Sequence, residues 1–172
     1  MKKTILLLIA FAICCTTNAE DGHNLWLRYE TLNKAHVIAP KGGKTIQIAI
    51  DELKKYWNGK DLKLVIDKKL KNDDGFIYDA DSICSHSEIG LLYGVYEALR
   101  TQQLSTNSNT GGYSAPKYSR RILNHWDNID GSIERGYAGN SIFFSSRLKG
   151  YDWEKRIIEY ARANASIGIN GT

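Results

Sequence analysis

The chain has 172 residues, 42% of them apolar and 24% charged, with a formal net charge of +4. That apolar content, with only two prolines, suffices for a buried core and excludes a disordered linker protein. Basic and acidic side chains are interspersed, as in Asp51-Glu52-Leu53-Lys54-Lys55, which argues against nucleic-acid binding.

Residues 1–19 have the pattern of a secretory signal peptide. Lys2 and Lys3 precede an apolar run from Ile5 to Ile13, and Thr17-Asn18-Ala19 offers small residues for cleavage. The run is too short for a stable membrane anchor, so export to the periplasm or the extracellular space is expected. Cleavage would leave 21 basic against 19 acidic side chains, and Cys84 alone after Cys14 and Cys15 are lost. A single cysteine cannot form an internal disulfide. Cys84 is most simply a small buried hydrophobe, because one nearby His86 does not make it a nucleophile.

Leu25-Trp26-Leu27-Arg28-Tyr29 reads as a first strand and His36-Val37-Ile38-Ala39 as a second. From Thr45, Ile46, Ala49, Ile50, Leu53 and Trp57 recur at helical spacing until Gly59. Leu62–Ile66 and Gly75–Tyr78 are two further short strands. Ser87 can cap a second helix that carries Leu91, Leu92, Val95, Tyr96 and Leu99 to about Gln103. This order predicts an α+β layer over residues 20–103, a mixed sheet with helices on one face. Residues 104–117, rich in Ser, Thr, Asn and Gly, read as a linker. Beyond it, a strand from Arg120, a polar loop, a helix capped by Asp152 and an approach at Ile167-Gly168-Ile169 make one strand–helix unit, expected to be truncated.

The loop between that strand and helix holds the chemistry. Asn124, His125, Trp126, Asp127 and Asn128 follow directly on Arg121-Ile122-Leu123. Trp126 is either core filler or a platform for a sugar ring, whose C–H face suits an aromatic surface. Asp127, Asp130 and Glu134 invite a general acid/base pair, but loop capping explains them equally well. Glu134 and Arg135 can pair with each other, and Gly131, Gly136 and Gly139 permit either tight turns or close ligand approach. His125 lacks a second His or Cys at metal-ligand spacing. Gly90 and Gly94 lie within a helical pattern, not in a phosphate-binding loop.

The segment Arg121–Gly139 closely resembles the opening of the catalytic barrel in glycoside hydrolase family 67, the xylan α-1,2-glucuronidases. Glu20–Tyr29, Gly90–Arg100 and Tyr160–Thr172 resemble the same family. The resemblance implies an α/β chain: an N-terminal α/β domain similar to one found in some hexosaminidases, then a (β/α)8 TIM barrel begun at residues 118–172. It implies an exported, inverting glycosidase that removes 4-O-methylglucuronic acid from glucuronoxylan-derived oligosaccharides without metal or organic cofactor. The implied acid and base lie on later strands, so these 172 residues are expected to be inactive alone. Trp126, Glu134 and Arg135 become the expected substrate contacts, with His125 and Asp127 in support. The resemblance leaves open a homodimer through a C-terminal region, and a non-catalytic carbohydrate-binding or adaptor module is the competing expectation.

Overall fold

A computed structural model describes residues 29–104, 111–144 and 152–172. The expected signal peptide and most of the expected first strand lie outside the described residues, and Tyr29 itself is not in a strand. Strand β1 (Val37–Ile38) leads into helix α1 (Lys44–Tyr56), followed by β2 (Leu62–Ile66), β3 (Phe76–Tyr78) and β4 (Ser82–Ser85). Helix α2 (Glu88–Leu104), β5 (Tyr113–Ser114) and α3 (Trp153–Ser166) complete the described elements.

Helix α1 forms because Ile46, Ala49, Leu53 and Tyr56 recur every three or four residues, and all four are buried. Its first turn borrows a cap from elsewhere: Gly43 N–H donates to Glu88 Oε1 at 2.9 Å. Lys54 and Lys55 occupy the last turn, where the helix dipole favours cations. The helix stops where Trp57 becomes extended and its indole N–H donates to the Lys60 carbonyl at 2.7 Å.

The sheet runs β1-β2-β4-β3-β5, parallel from β1 through β4 and antiparallel at β3. In β2, Leu62 and Leu64 point inward and Lys63 outward, so one face meets the core. Strand β4 was not anticipated, because Ser82-Ile83-Cys84-Ser85 has no apolar run. It is nevertheless internal, with Leu64 opposite Ile83 and Ile77 opposite Cys84, and Ile83 is fully buried. Strand β5 falls within the stretch that the composition marked as a linker.

Helix α2 is central. Ser87 caps it by accepting the Gly90 N–H at 3.1 Å, and it buries Leu91, Leu92, Val95, Tyr96 and Leu99. Gly90 and Gly94 let it lie close on the sheet. A Cβ at Gly90 would sit 2.1 Å from Ser85 Oγ and one at Gly94 2.4 Å from Ile83 Cγ2. Both glycines are therefore packing residues.

Candidate functional site

Arg121 seats the site on the sheet domain. Its five N–H donors meet five acceptors: the Gly168, Tyr118 and Ser119 carbonyls, Asp74 Oδ2 at 2.7 Å and the Tyr93 hydroxyl at 3.2 Å. Desolvation would lower its pKa, but Asp74 and Tyr93 outweigh that and raise it. Next to it, Ile122 bridges Gly171 in parallel, supported by Leu123 N–H to the Gly171 carbonyl and Asn170 N–H to the Arg121 carbonyl. In place of the expected strand from Arg120, the described residues hold this single parallel bridge.

Past Leu123 the chain folds back on itself. Asp127 bridges Ile133, Ser132 bridges Asn140, and Glu134 N–H donates to the Trp126 carbonyl at 2.7 Å. Asn128 stitches the turn with its amide, donating to Ser132 Oγ at 2.9 Å and to the Glu134 carbonyl at 2.7 Å. Asp130 accepts from Ser132 N–H at 2.8 Å and Ser132 Oγ–H at 2.6 Å, an Asx turn that lowers its pKa. Gly131 has φ +89°, a conformation that favours glycine. Glu134 takes the same left-handed region at φ +57°, unusual for a non-glycine residue.

The result is a compact hairpin on which Trp126 is 61% exposed. Arg135 and Tyr137 are exposed as well. Glu134 accepts the Tyr137 hydroxyl at 2.8 Å, and this bond raises the tyrosine pKa. Among the described residues, no ion pair joins Glu134 to Arg135.

Asp127 and His125 face each other. The Asp127 side chain is only 6% exposed, and its Oδ2 lies 3.4 Å from His125 Nδ1. His125 Nε2 is 2.5 Å from the Tyr160 hydroxyl, which in turn is 3.2 Å from Thr172 Oγ1. The imidazole also meets Phe143 edge-on, with ring centroids 5.0 Å apart. Both ring nitrogens of His125 are thus occupied, and no group of three or more metal-ligating side chains occurs among the described residues.

The three loop carboxylates are therefore all engaged locally: Asp127 with His125, Asp130 with Ser132, and Glu134 with Tyr137. Capping explains them better than an acid/base pair does. The structure exposes Trp126 and Tyr137 on one hairpin, with Glu134 bonded to Tyr137, and joins His125 to Asp127 and Tyr160. Tyr160, Phe143 and Thr172 escaped sequence reasoning. Nothing local marks them, since they reach His125 only through the fold.

Residues 100–172 match the glycosyl hydrolase family 67 middle domain. A probable alpha-glucuronidase A of Aspergillus fumigatus is 45% identical over 89 residues, covering 52% of this chain and 10% of that protein. A protein of the same description from Aspergillus terreus is 31% identical over 215 aligned positions, covering 99% of this chain and 25% of that protein. The chain belongs to glycoside hydrolase family 67, and it spans between a tenth and a quarter of the length of these relatives.

Proposed function

We propose that these residues form the N-terminal part of an exported α-glucuronidase and supply one wall of its uronic-acid site. In this reading, residues 118–172 are the first strand–helix unit of a (β/α)8 barrel and the preceding α/β layer braces it. The substrate is a glucuronoxylan-derived oligosaccharide whose α-1,2-linked (4-O-methyl)glucuronic acid is released with inversion. Trp126 stacks on the sugar, while Arg135 meets the uronate carboxylate and Glu134 a sugar hydroxyl.

The observation that carries this reading is the exposure of Trp126 at the tip of a hydrogen-bonded hairpin. An exposed indole beside polar side chains on an ordered loop supports reading it as a binding surface. Hydrolysis needs two carboxylates free to exchange protons. Those of this loop are committed to its own structure, so the acid and base belong to other parts of the enzyme.

The test is to incubate the 172-residue chain with a methylglucuronic-acid-substituted xylooligosaccharide and follow both binding and release. Binding that quenches Trp126 fluorescence, with no free methylglucuronic acid, is expected. Release of the acid by the isolated chain would overturn the assignment of acid and base. Absence of binding would overturn the assignment of the wall.

A further inference from the structure

We propose that Tyr160 is a positioning residue for the Trp126 surface, acting through His125. This rests on reading Trp126 as a sugar-facing ring, and the first arm of its test uses no sugar. Trp126 lies between two anchored neighbours. Asp127 is 6% exposed and faces His125 Nδ1 at 3.4 Å, while His125 Nε2 meets the Tyr160 hydroxyl at 2.5 Å.

His125 Nδ1 faces the Asp127 carboxylate and Nε2 the Tyr160 hydroxyl, so the two ring nitrogens meet partners from different parts of the fold. The Tyr160 hydroxyl is the hydrogen-bond partner of Nε2. These two contacts hold the ring plane of His125. Tyr160 belongs to α3, and its hydroxyl lies 3.2 Å from Thr172 Oγ1 beside the Gly171 bridge. The residues flanking Trp126 are thereby tied to both the helix and the neighbouring strand. The far side of Trp126 is held by a separate bond, from Glu134 N–H to its carbonyl at 2.7 Å. Between them these contacts hold the backbone and leave the indole to project.

Packing alone predicts something different from hydrogen bonding here. Phe143 touches both rings, at centroid distances of 5.0 Å from His125 and 5.6 Å from Tyr160, and makes no hydrogen bond with them through its side chain. Tyr160→Phe removes the hydroxyl and keeps the ring, whereas Phe143→Leu removes a ring and keeps the hydroxyl.

The experiment records the His125 ring and Trp126 indole nitrogen resonances in the ¹⁵N-labelled 172-residue chain, first without ligand. It then titrates with glucuronic acid, and with xylobiose as the neutral probe. Tyr160→Phe is expected to move both sets of resonances and to weaken glucuronic acid binding roughly 2- to 10-fold, the share of one hydrogen bond. Phe143→Leu is expected to leave the His125 Nε2 signature in place. Unchanged resonances in Tyr160→Phe would overturn the positioning role, as would an equal disturbance by Phe143→Leu. If the wild-type chain binds neither probe, the sugar-facing reading fails, and the positioning role is decided by the ligand-free resonances alone.

Discussion

Arg162 grips Glu52 across 110 positions of sequence, with Nε donating to Oε1 at 2.6 Å and Nη2 to Oε2 at 2.8 Å. The guanidinium also lies over the Tyr56 ring, 5.4 Å from its centroid. This fork ties α3 to α1, and with the Arg121–Asp74 pair it joins the loop-bearing segment to the sheet domain through two ion pairs. The bonds from Glu52 raise the arginine pKa despite the cost of burial.

Removing the arginine leaves a buried carboxylate without its partner. Arg162→Met is expected to destabilise the fold by about 3 kcal/mol in urea denaturation. Arg162→Lys should recover only part of that, because an ammonium cannot make the bidentate contact. The double variant Glu52→Leu/Arg162→Met should lie closer to wild type than Arg162→Met does. Equal stability of Arg162→Met and wild type would show that the fork contributes nothing.

Gly90→Ala tests the close seat of α2 on the sheet. The new methyl would meet Ser85 Oγ at 2.1 Å and the Gly75 carbonyl at 2.6 Å, displacing a buried hydrogen bond of 2.7 Å between those two groups. A loss of about 1–3 kcal/mol is expected, although alanine is the better helix former. A stabilised variant in chemical denaturation would refute the packing argument.

Tyr29 has a buried hydroxyl with no hydrogen-bond partner among the described residues. Burial is the main cause that pushes its pKa up to about 12 from an ordinary 10.0. The folded state therefore prefers the neutral phenol. This contribution is fully present below pH 10 and is lost as pH rises through about 12. Tyr29→Phe should show less alkaline destabilisation in that window. At neutral pH it should be unchanged or more stable by up to about 1 kcal/mol. Denaturation midpoints compared across the window decide it, and equal alkaline losses in both proteins would count against it.

Trp126→Ala separates binding from folding. The ring is 61% exposed, so thermal stability should stay within about 0.5 kcal/mol of wild type while sugar binding disappears. A large fall in stability would instead assign the indole to packing.

Hydrogen exchange should divide the chain. α2 buries residues on nearly every side, whereas α3 has no buried residue and Ile158 on it is 53% exposed. Amides from about residue 118 onward are expected to exchange faster than those of the sheet domain, because local opening there exposes little apolar surface. Uniform strong protection would contradict this.

Local order was legible where a single periodicity carried it. Helices α1 and α2 and strand β2 follow from apolar spacing, and Ser87 and Gly59 mark their ends as turn and cap chemistry requires. The loop around Trp126 was legible as chemistry because its residue types exceed what packing needs. Strand β4 was hidden because a strand between two partners can draw its stability from their hydrogen bonds instead of its own composition. The same holds for β5, whose Tyr113 and Ser114 are exposed and pair with Ile77 and Phe76.

By itself, then, the sequence determined the α/β class, the main helices and the residues around which a site would gather. It could not separate a sugar platform from core filler, or catalytic carboxylates from caps, since those differ only in which atoms stand opposite. The tertiary structure supplies those neighbours, leaving Trp126 exposed and giving Asp127, Asp130 and Glu134 partners within the fold. The distance in sequence from His125 to Tyr160, and from Glu52 to Arg162, is why no local pattern announced either contact.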